Sequence, residues 1–144
     1  KPLAVETGVH PGFMTDWQPP FTILLTQADG TSVVHETVYE RRFDYANALK
    51  DMGAAIELFA RCLGGRECRF RERDFAHSAV IKGPTALHAK DVDVPDLRAG
   101  FSYLIAALLA DGTSRIRGVE KLERGYEHLV EKLHTLGADI QVEE

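Results

Sequence analysis

One pentapeptide occurs twice in this chain, as Ala28-Asp29-Gly30-Thr31-Ser32 and as Ala110-Asp111-Gly112-Thr113-Ser114. Each copy follows an apolar stretch of helical character, precedes a β-prone run, and is followed about 23 to 25 residues later by a helix end, Met52-Gly53-Ala54 or Leu136-Gly137-Ala138. Self-similarity of this kind marks a repeated supersecondary unit. The chain is therefore expected to be α/β (α+β) and built from two β-α-β-α-β-β units with helices packed on one sheet face. Residues 1–74 form the first unit and residues 75–144 the second, which stops one strand short.

Local signals place the elements. Residues 3 to 7 read as a strand ended by Gly8. Phe21, Leu24, Leu25 and Ala28 have helical spacing, with Pro19 and Pro20 tolerated only in the first turn, where no N–H is needed. Residues 32 to 38 read as a strand, and Asp44 is expected to cap a helix through Leu49 and Met52. A β-prone run from 67 to 73 predicts a hairpin around Gly64-Gly65. Strands are expected near 77–81 and 86–90, then a helix carrying Phe101, Leu104, Ile105, Leu108 and Leu109, with Asp96 as its N-cap. Residues 113 to 118 and 139 to 142 read as strands, on either side of an apolar helical stripe, Tyr126, Leu129, Val130, Leu133 and Leu136.

Composition narrows the function classes. A net charge of -5 leaves no cationic surplus for a phosphate backbone, so no nucleic-acid partner is expected. The densest basic run, Arg61 to Arg73, is interleaved with acids and reads as the solvated face of the hairpin. No run approaches the ~18 apolar residues of a membrane span, and there is no secretory segment at Lys1-Pro2-Leu3, so the expectation is cytoplasmic and without a membrane. The opening without Met predicts a fragment of a longer chain. Cys62 and Cys68 lack C-x-x-C spacing and are expected as reduced thiols, while six histidines at mixed spacing show no ligand pattern. No metal and no cofactor are assigned.

The polar residues that recur between the copies suggest chemistry. Asp16 and Asp96 stand at helix starts, Arg98 follows Asp96, and Arg42 and Arg124 hold similar places in the two units. If equivalent positions share a face, a carboxylate and several arginines converge there as an anion site with a base. Arginine suits it, since its planar fork binds carboxylate or phosphate at two points and stays charged. Asp96 reads first as a cap. Trp17 reads as packing.

Several phrases in order, Pro11-Gly12-Phe13-Met14-Thr15-Asp16-Trp17-Gln18, Gly30 to Phe43, Asp96-Leu97-Arg98-Ala99-Gly100, Arg124-Gly125-Tyr126-Glu127-His128-Leu129 and Leu136 to Ile140, resemble the C-terminal part of the UDP-N-acetylglucosamine enolpyruvyl transferase family. Signatures of the related shikimate enzymes are missing. The resemblance implies an inverted-barrel fold and transfer of enolpyruvyl from phosphoenolpyruvate to the 3-hydroxyl of UDP-N-acetylglucosamine in peptidoglycan precursor synthesis, with no cofactor. It implies Asp16 as the residue engaging that hydroxyl and Val38 as a backbone contact to the sugar nucleotide. Arg42, Arg98 and Arg124 would line the phosphoenolpyruvate site, Arg124 on the phosphate side. The chain departs from the pattern at Pro19-Pro20 and at Ala99-Gly100-Phe101. The lysine, the proton-donating cysteine and most of the uridine pocket would lie in a missing N-terminal domain, so the fragment alone is expected to be inactive. Apolar surface left by that domain would favour self-association. The alternative is a non-catalytic α/β module that binds a sugar nucleotide or a protein.

Overall fold

Both Asp-Gly pairs turn a helix into a strand through a left-handed glycine, Gly30 at φ 116° and Gly112 at φ 99°, a region that a side chain resists. A computed structural model describes residues 1–143. Its first repeat runs β1 (Ala4–Glu6), a 3-10 turn (Thr15–Trp17), α1 (Gln18–Thr26) and β2 (Gly30–His35), with β1 and β2 parallel. The second copy runs β5 (Val92–Asp93), α3 (Leu97–Leu109) and β6 (Ile116–Arg117), and this pair is also parallel. The repeat seen in sequence is thus a β-α-β crossover made twice.

Between these crossovers lie α2 (Ala46–Asp51), β3 (Ala55–Phe59) and β4 (Ser78–Gly83). The four-stranded sheet has the order β1-β2-β4-β3, and β4 is antiparallel to both neighbours. Residues 77–81, which the sequence pattern groups with the second unit, therefore lie in the middle of the first unit's sheet. Among the described residues no barrel closes. α4 (Glu120–Glu123) and α5 (Leu129–Thr135) follow β6.

The main core joins one sheet face to the helices, through Val34, Ile56, Ala79 and Ile81 from strands, Ile23 and Leu25 from α1, Leu49 from α2, and Tyr103 and Ala106 from α3. A smaller core gathers Val94, Leu104, Leu122 and Leu129 on the far side of α3. The helix α3 is the wall between them, which explains its apolar character on more than one face. Asp96 caps it as expected, its Oδ1 accepting from the amides of Arg98 at 2.7 Å and Ala99 at 3.0 Å. Pro19 and Pro20 occupy the first turn of α1 without disturbing it. Among the described residues no helix is long and apolar enough to cross a membrane.

Other local expectations give way to long-range contacts. The 67–73 run forms no strand; β3 pairs with β4 instead, and Cys68 and Phe70 are buried within an irregular segment. Its arginines remain solvated. Asp44 does not cap α2, whose first turn has no side-chain cap. The expected strand at 86–90 shrinks to one bridge between His88 and Asp111. The stripe from Tyr126 to Leu136 breaks at His128, which is left-handed at φ 52°, and residues 139 to 142 find no partner strand among the described residues.

Gly83 ends β4 beneath the C-terminal carbonyls of α1. A methyl group there would stand 2.4 Å from Ala28 O, 2.7 Å from Thr26 O and 2.9 Å from Leu25 O, all backbone. Gly83→Ala is expected to destabilise the fold by about 2 kcal/mol, the scale of overpacking a rigid site, measured by urea denaturation.

Candidate functional site

The corner of the sheet where β1 and β2 end holds a carboxylate with no solvent exposure, Glu36. Its Oε1 accepts from Thr7 Oγ1 at 2.8 Å and from the amides of Val38 at 2.8 Å and Tyr39 at 2.9 Å; its Oε2 accepts from Thr15 Oγ1 at 2.9 Å. The Glu36 amide donates to His77 O at 2.8 Å. One buried side chain thus ties together the end of β1, the 3-10 turn and the segment after β2. Sequence reasoning missed it, since Glu36 sits in an alternating strand where a charged residue ordinarily faces water.

Thr15 carries Asp16 beside it. The Asp16 carboxylate is 2.6 Å from Arg42 Nη2 and 3.4 Å from Arg98 Nε. Arg42 is almost wholly buried and is fixed from the other side, since its Nε and Nη2 both donate to Thr15 O at 3.2 Å. The Tyr39 ring lies under both guanidinium groups, at 4.9 Å from that of Arg42 and 5.6 Å from that of Arg98, a further attraction of cation to ring face. Three of the residues expected from sequence therefore converge, one from each of three separated segments. Asp16 and Arg98 remain more than half exposed, so both can meet a ligand.

Val38 lies on the other side of Glu36. Its carbonyl accepts from Arg69 Nη2, and it lines an open cavity of about 470 Å³ with Gly8, Val9, Thr37, Arg66, Glu67 and Arg69. Arg66 and Arg69, expected on the solvated face of a hairpin, line this cavity instead. Arg124 is exposed at the end of α4 and, among the described residues, makes no ion pair with Asp16. Its neighbours approach the cluster: Gly125 packs on Leu97, next to Arg98, and Tyr126 stacks on Phe101 with centroids 4.6 Å apart. Burial pushes the Tyr126 phenol up, the nearby Asp16 charge adds to this, and Arg42 opposes it. Tyr126 stays neutral. The Tyr45 phenol is raised by its complete burial and donates to Gln18 Oε1 at 3.2 Å beneath the cluster.

The two departures from the family pattern have local reasons. Pro19 is buried and Pro20 lines an apolar groove of about 330 Å³ with Phe13, Trp17, Phe21 and Leu24. Trp17 packs its edge on Phe13 and is half exposed. Gly100 lets the start of α3 press on Val94 and Leu122, where a Cβ would lie 2.5 and 2.6 Å from their side-chain atoms.

Chemically, this cluster offers an exposed carboxylate of fixed position beside exposed and buried guanidinium groups. Such an arrangement orients a hydroxyl and binds a neighbouring anion.

Comparison with known proteins covers nearly the whole chain. The model of the family EPSP synthase (3-phosphoshikimate 1-carboxyvinyltransferase) matches residues 1–133. The chain is 58% identical over 142 residues to UDP-N-acetylglucosamine 1-carboxyvinyltransferase of Protochlamydia amoebophila, covering 99% of this chain and 30% of that protein. With the protein of the same name from Chlamydia abortus it is 52% identical, covering 97% of this chain and 32% of the relative. Among solved structures, the enolpyruvyl transferase NikO from Streptomyces tendae aligns with a TM-score of 0.78 at 30% identity, over 98% of this chain and 29% of that one. An EPSP synthase from Acinetobacter baumannii shares the fold, with a TM-score of 0.61 at 20% identity over 89% of this chain and 26% of that one. The chain spans about 30% of the length of the curated relatives it matches.

Truncating Glu36 would leave two hydroxyls and two amides without their acceptor. Glu36→Ala is expected to cost at least about 3 kcal/mol in urea denaturation, because each buried unpaired donor is penalised, with Glu36→Gln falling between it and the parent.

Proposed function

This chain belongs to the EPSP synthase (3-phosphoshikimate 1-carboxyvinyltransferase) family, and we propose that it is the C-terminal portion of an enzyme making enolpyruvyl UDP-N-acetylglucosamine. The reaction moves the enolpyruvyl group of phosphoenolpyruvate to the sugar 3-hydroxyl and releases phosphate, a cytoplasmic step toward peptidoglycan. The observation that carries this reading is the Asp16 carboxylate, exposed to a ligand yet held by Arg42 and Arg98. The names of the two relatives described above support the sugar nucleotide over shikimate phosphate.

In this reading Asp16 receives a hydrogen bond from the 3-hydroxyl and takes its proton as the oxygen attacks C2 of phosphoenolpyruvate. Addition gives a tetrahedral ketal. Elimination of phosphate, with loss of a proton from the C3 methyl group formed in the addition, then restores the double bond. Arg42 acts mainly as a positioning residue, since most of its fork is committed to Thr15 and Asp16. Arg98 is the arm able to turn from Asp16 to an arriving anion, because its contact is longer and its side chain half exposed. Arg124, on the exposed end of α4, would close over the phosphate when substrate binds. Val38 offers backbone to the sugar nucleotide, with Arg66 and Arg69 beside it for acidic groups.

The proton donor to C3 and the rest of the substrate pocket are assigned to an N-terminal domain of the same enzyme. The apolar groove of Phe13, Trp17, Pro20, Phe21 and Leu24 is surface that the missing domain, or a second copy of this fragment, would cover. An incomplete site would turn over nothing by itself.

Phosphate release from phosphoenolpyruvate and UDP-N-acetylglucosamine tests the proposal. The full-length enzyme is expected to release phosphate, and Asp16→Asn and Arg124→Ala to lower kcat by about 10² or more, the scale of losing one base or one charge-stabilising group. Residues 1–144 alone are expected to release none. Turnover by the fragment, or full activity of Asp16→Asn, would contradict the assignment.

A further inference from the structure

Away from Asp16, the irregular segment between β3 and β4 folds two cysteines against two histidines. One ligand atom from each of His35, Cys62, Cys68 and His77 lies within 4.8 Å of all the others. We propose that these four residues form a structural zinc(II) site, a closed Cys2His2 tetrahedron that pins the 60–77 segment to the end of β2. Zinc bonds of about 2.3 Å to sulfur and 2.0 Å to nitrogen require ligand-to-ligand edges of roughly 3.3 to 3.8 Å. The Cys62 Sγ to His77 Nε2 separation is already 3.5 Å.

The surroundings of the histidines point to a ligand. His35 has no solvent exposure, and its Nε2 is a buried nitrogen with no hydrogen-bond partner. Its Nδ1 lies 2.9 Å from Glu6 Oε2. His77, also buried, directs Nδ1 to Phe75 O at 3.0 Å. A histidine whose Nδ1–H donates to a carboxylate or carbonyl presents a lone pair on Nε2, the outer-shell arrangement typical of metal-binding imidazoles. Burial pushes the Cys68 thiol up, partly offset by the Phe70 amide, which donates to its Sγ at 3.4 Å. Phe70 and Phe75 pack against His77 and exclude water.

Two thiolates and two neutral imidazoles offset the zinc charge, and binding releases the two thiol protons to solvent. Four protein ligands leave no open position, so the site is structural rather than catalytic. The segment has a reason to need it, being long and without helix or strand. Glu6 also holds this segment, accepting from the amides of Gly65 at 3.0 Å and Arg66 at 2.9 Å. Gly64 permits that approach, since a Cβ there would overlap Glu6 and His35. The site stands one residue from Glu36 and fixes the base of the loop bearing Arg66 and Arg69.

The test is metal content and cobalt substitution in the full-length protein, purified without chelators. Plasma mass spectrometry is expected to find about one zinc per chain, falling at least tenfold in Cys68→Ser and His77→Gln. Chelator-treated parent protein titrated with cobalt(II) is expected to show the intense visible bands of a tetrahedral site and a thiolate-to-metal charge-transfer band. Glu6→Gln, which keeps all four ligands, should weaken zinc binding about tenfold or more, as losing an outer-shell partner does. The parent experiment does not depend on a variant folding. Folded parent protein with reduced thiols and neither zinc nor a cobalt spectrum would overturn the proposal, as would a Cys62–Cys68 disulfide formed under reducing conditions.

Discussion

The buried carboxylate of Glu36 is the constraint on which the rest of this site depends. Four donors from three segments converge on it: the end of β1, the 3-10 turn and the stretch that follows β2. A charge removed from water is tolerable only when its lone pairs are filled, so the four donors and the carboxylate require one another. The consequence is geometric. Thr15 is held, Asp16 follows it, and Arg42 locks onto both. On the other side Val38 and Tyr39 are held by their amides, and the Tyr39 ring then lies beneath Arg42 and Arg98. Rigid backbone thus positions an exposed carboxylate without burying it.

The repeat explains where this corner lies. Each β-α-β crossover places a helix start beside the carboxyl end of a strand, the place where α/β sheets commonly gather ligands. The first crossover supplies Asp16 and the second supplies Arg98, and they meet because α1 and α3 pack together. Asp96, the closer sequence counterpart of Asp16, is spent on capping α3. The two copies have kept one backbone path and divided the polar work.

Much of this is written locally in the sequence. The Asp-Gly pairs, the prolines in the first turn of α1 and the Asp96 cap follow from short-range chemistry, while of the expected group Asp16, Arg42, Arg98 and Arg124 the first three meet in ion pairs. What escaped depends on distance along the chain. Residues 67–73 alternate like a strand, yet β3 pairs with β4 and the alternation instead buries Cys68 and Phe70 in an irregular segment. Residues 139–142 are β-prone but, among the described residues, have no strand beside them. Glu36 looks like any alternating polar position until the sheet corner closes over it. His35, Cys62, Cys68 and His77 have no metal-ligand spacing because the sheet, not a short motif, assembles them.

Amide hydrogen exchange at Val38 and Tyr39 tests most directly whether Glu36 organises the site. Both amides lie outside any strand or helix, and their hydrogen bonds in the structure go to the Glu36 carboxylate. The account predicts protection close to that of the β2 amides, since release requires opening the buried corner. Exchange at the rate of a free loop, with the β2 amides still protected, would contradict it.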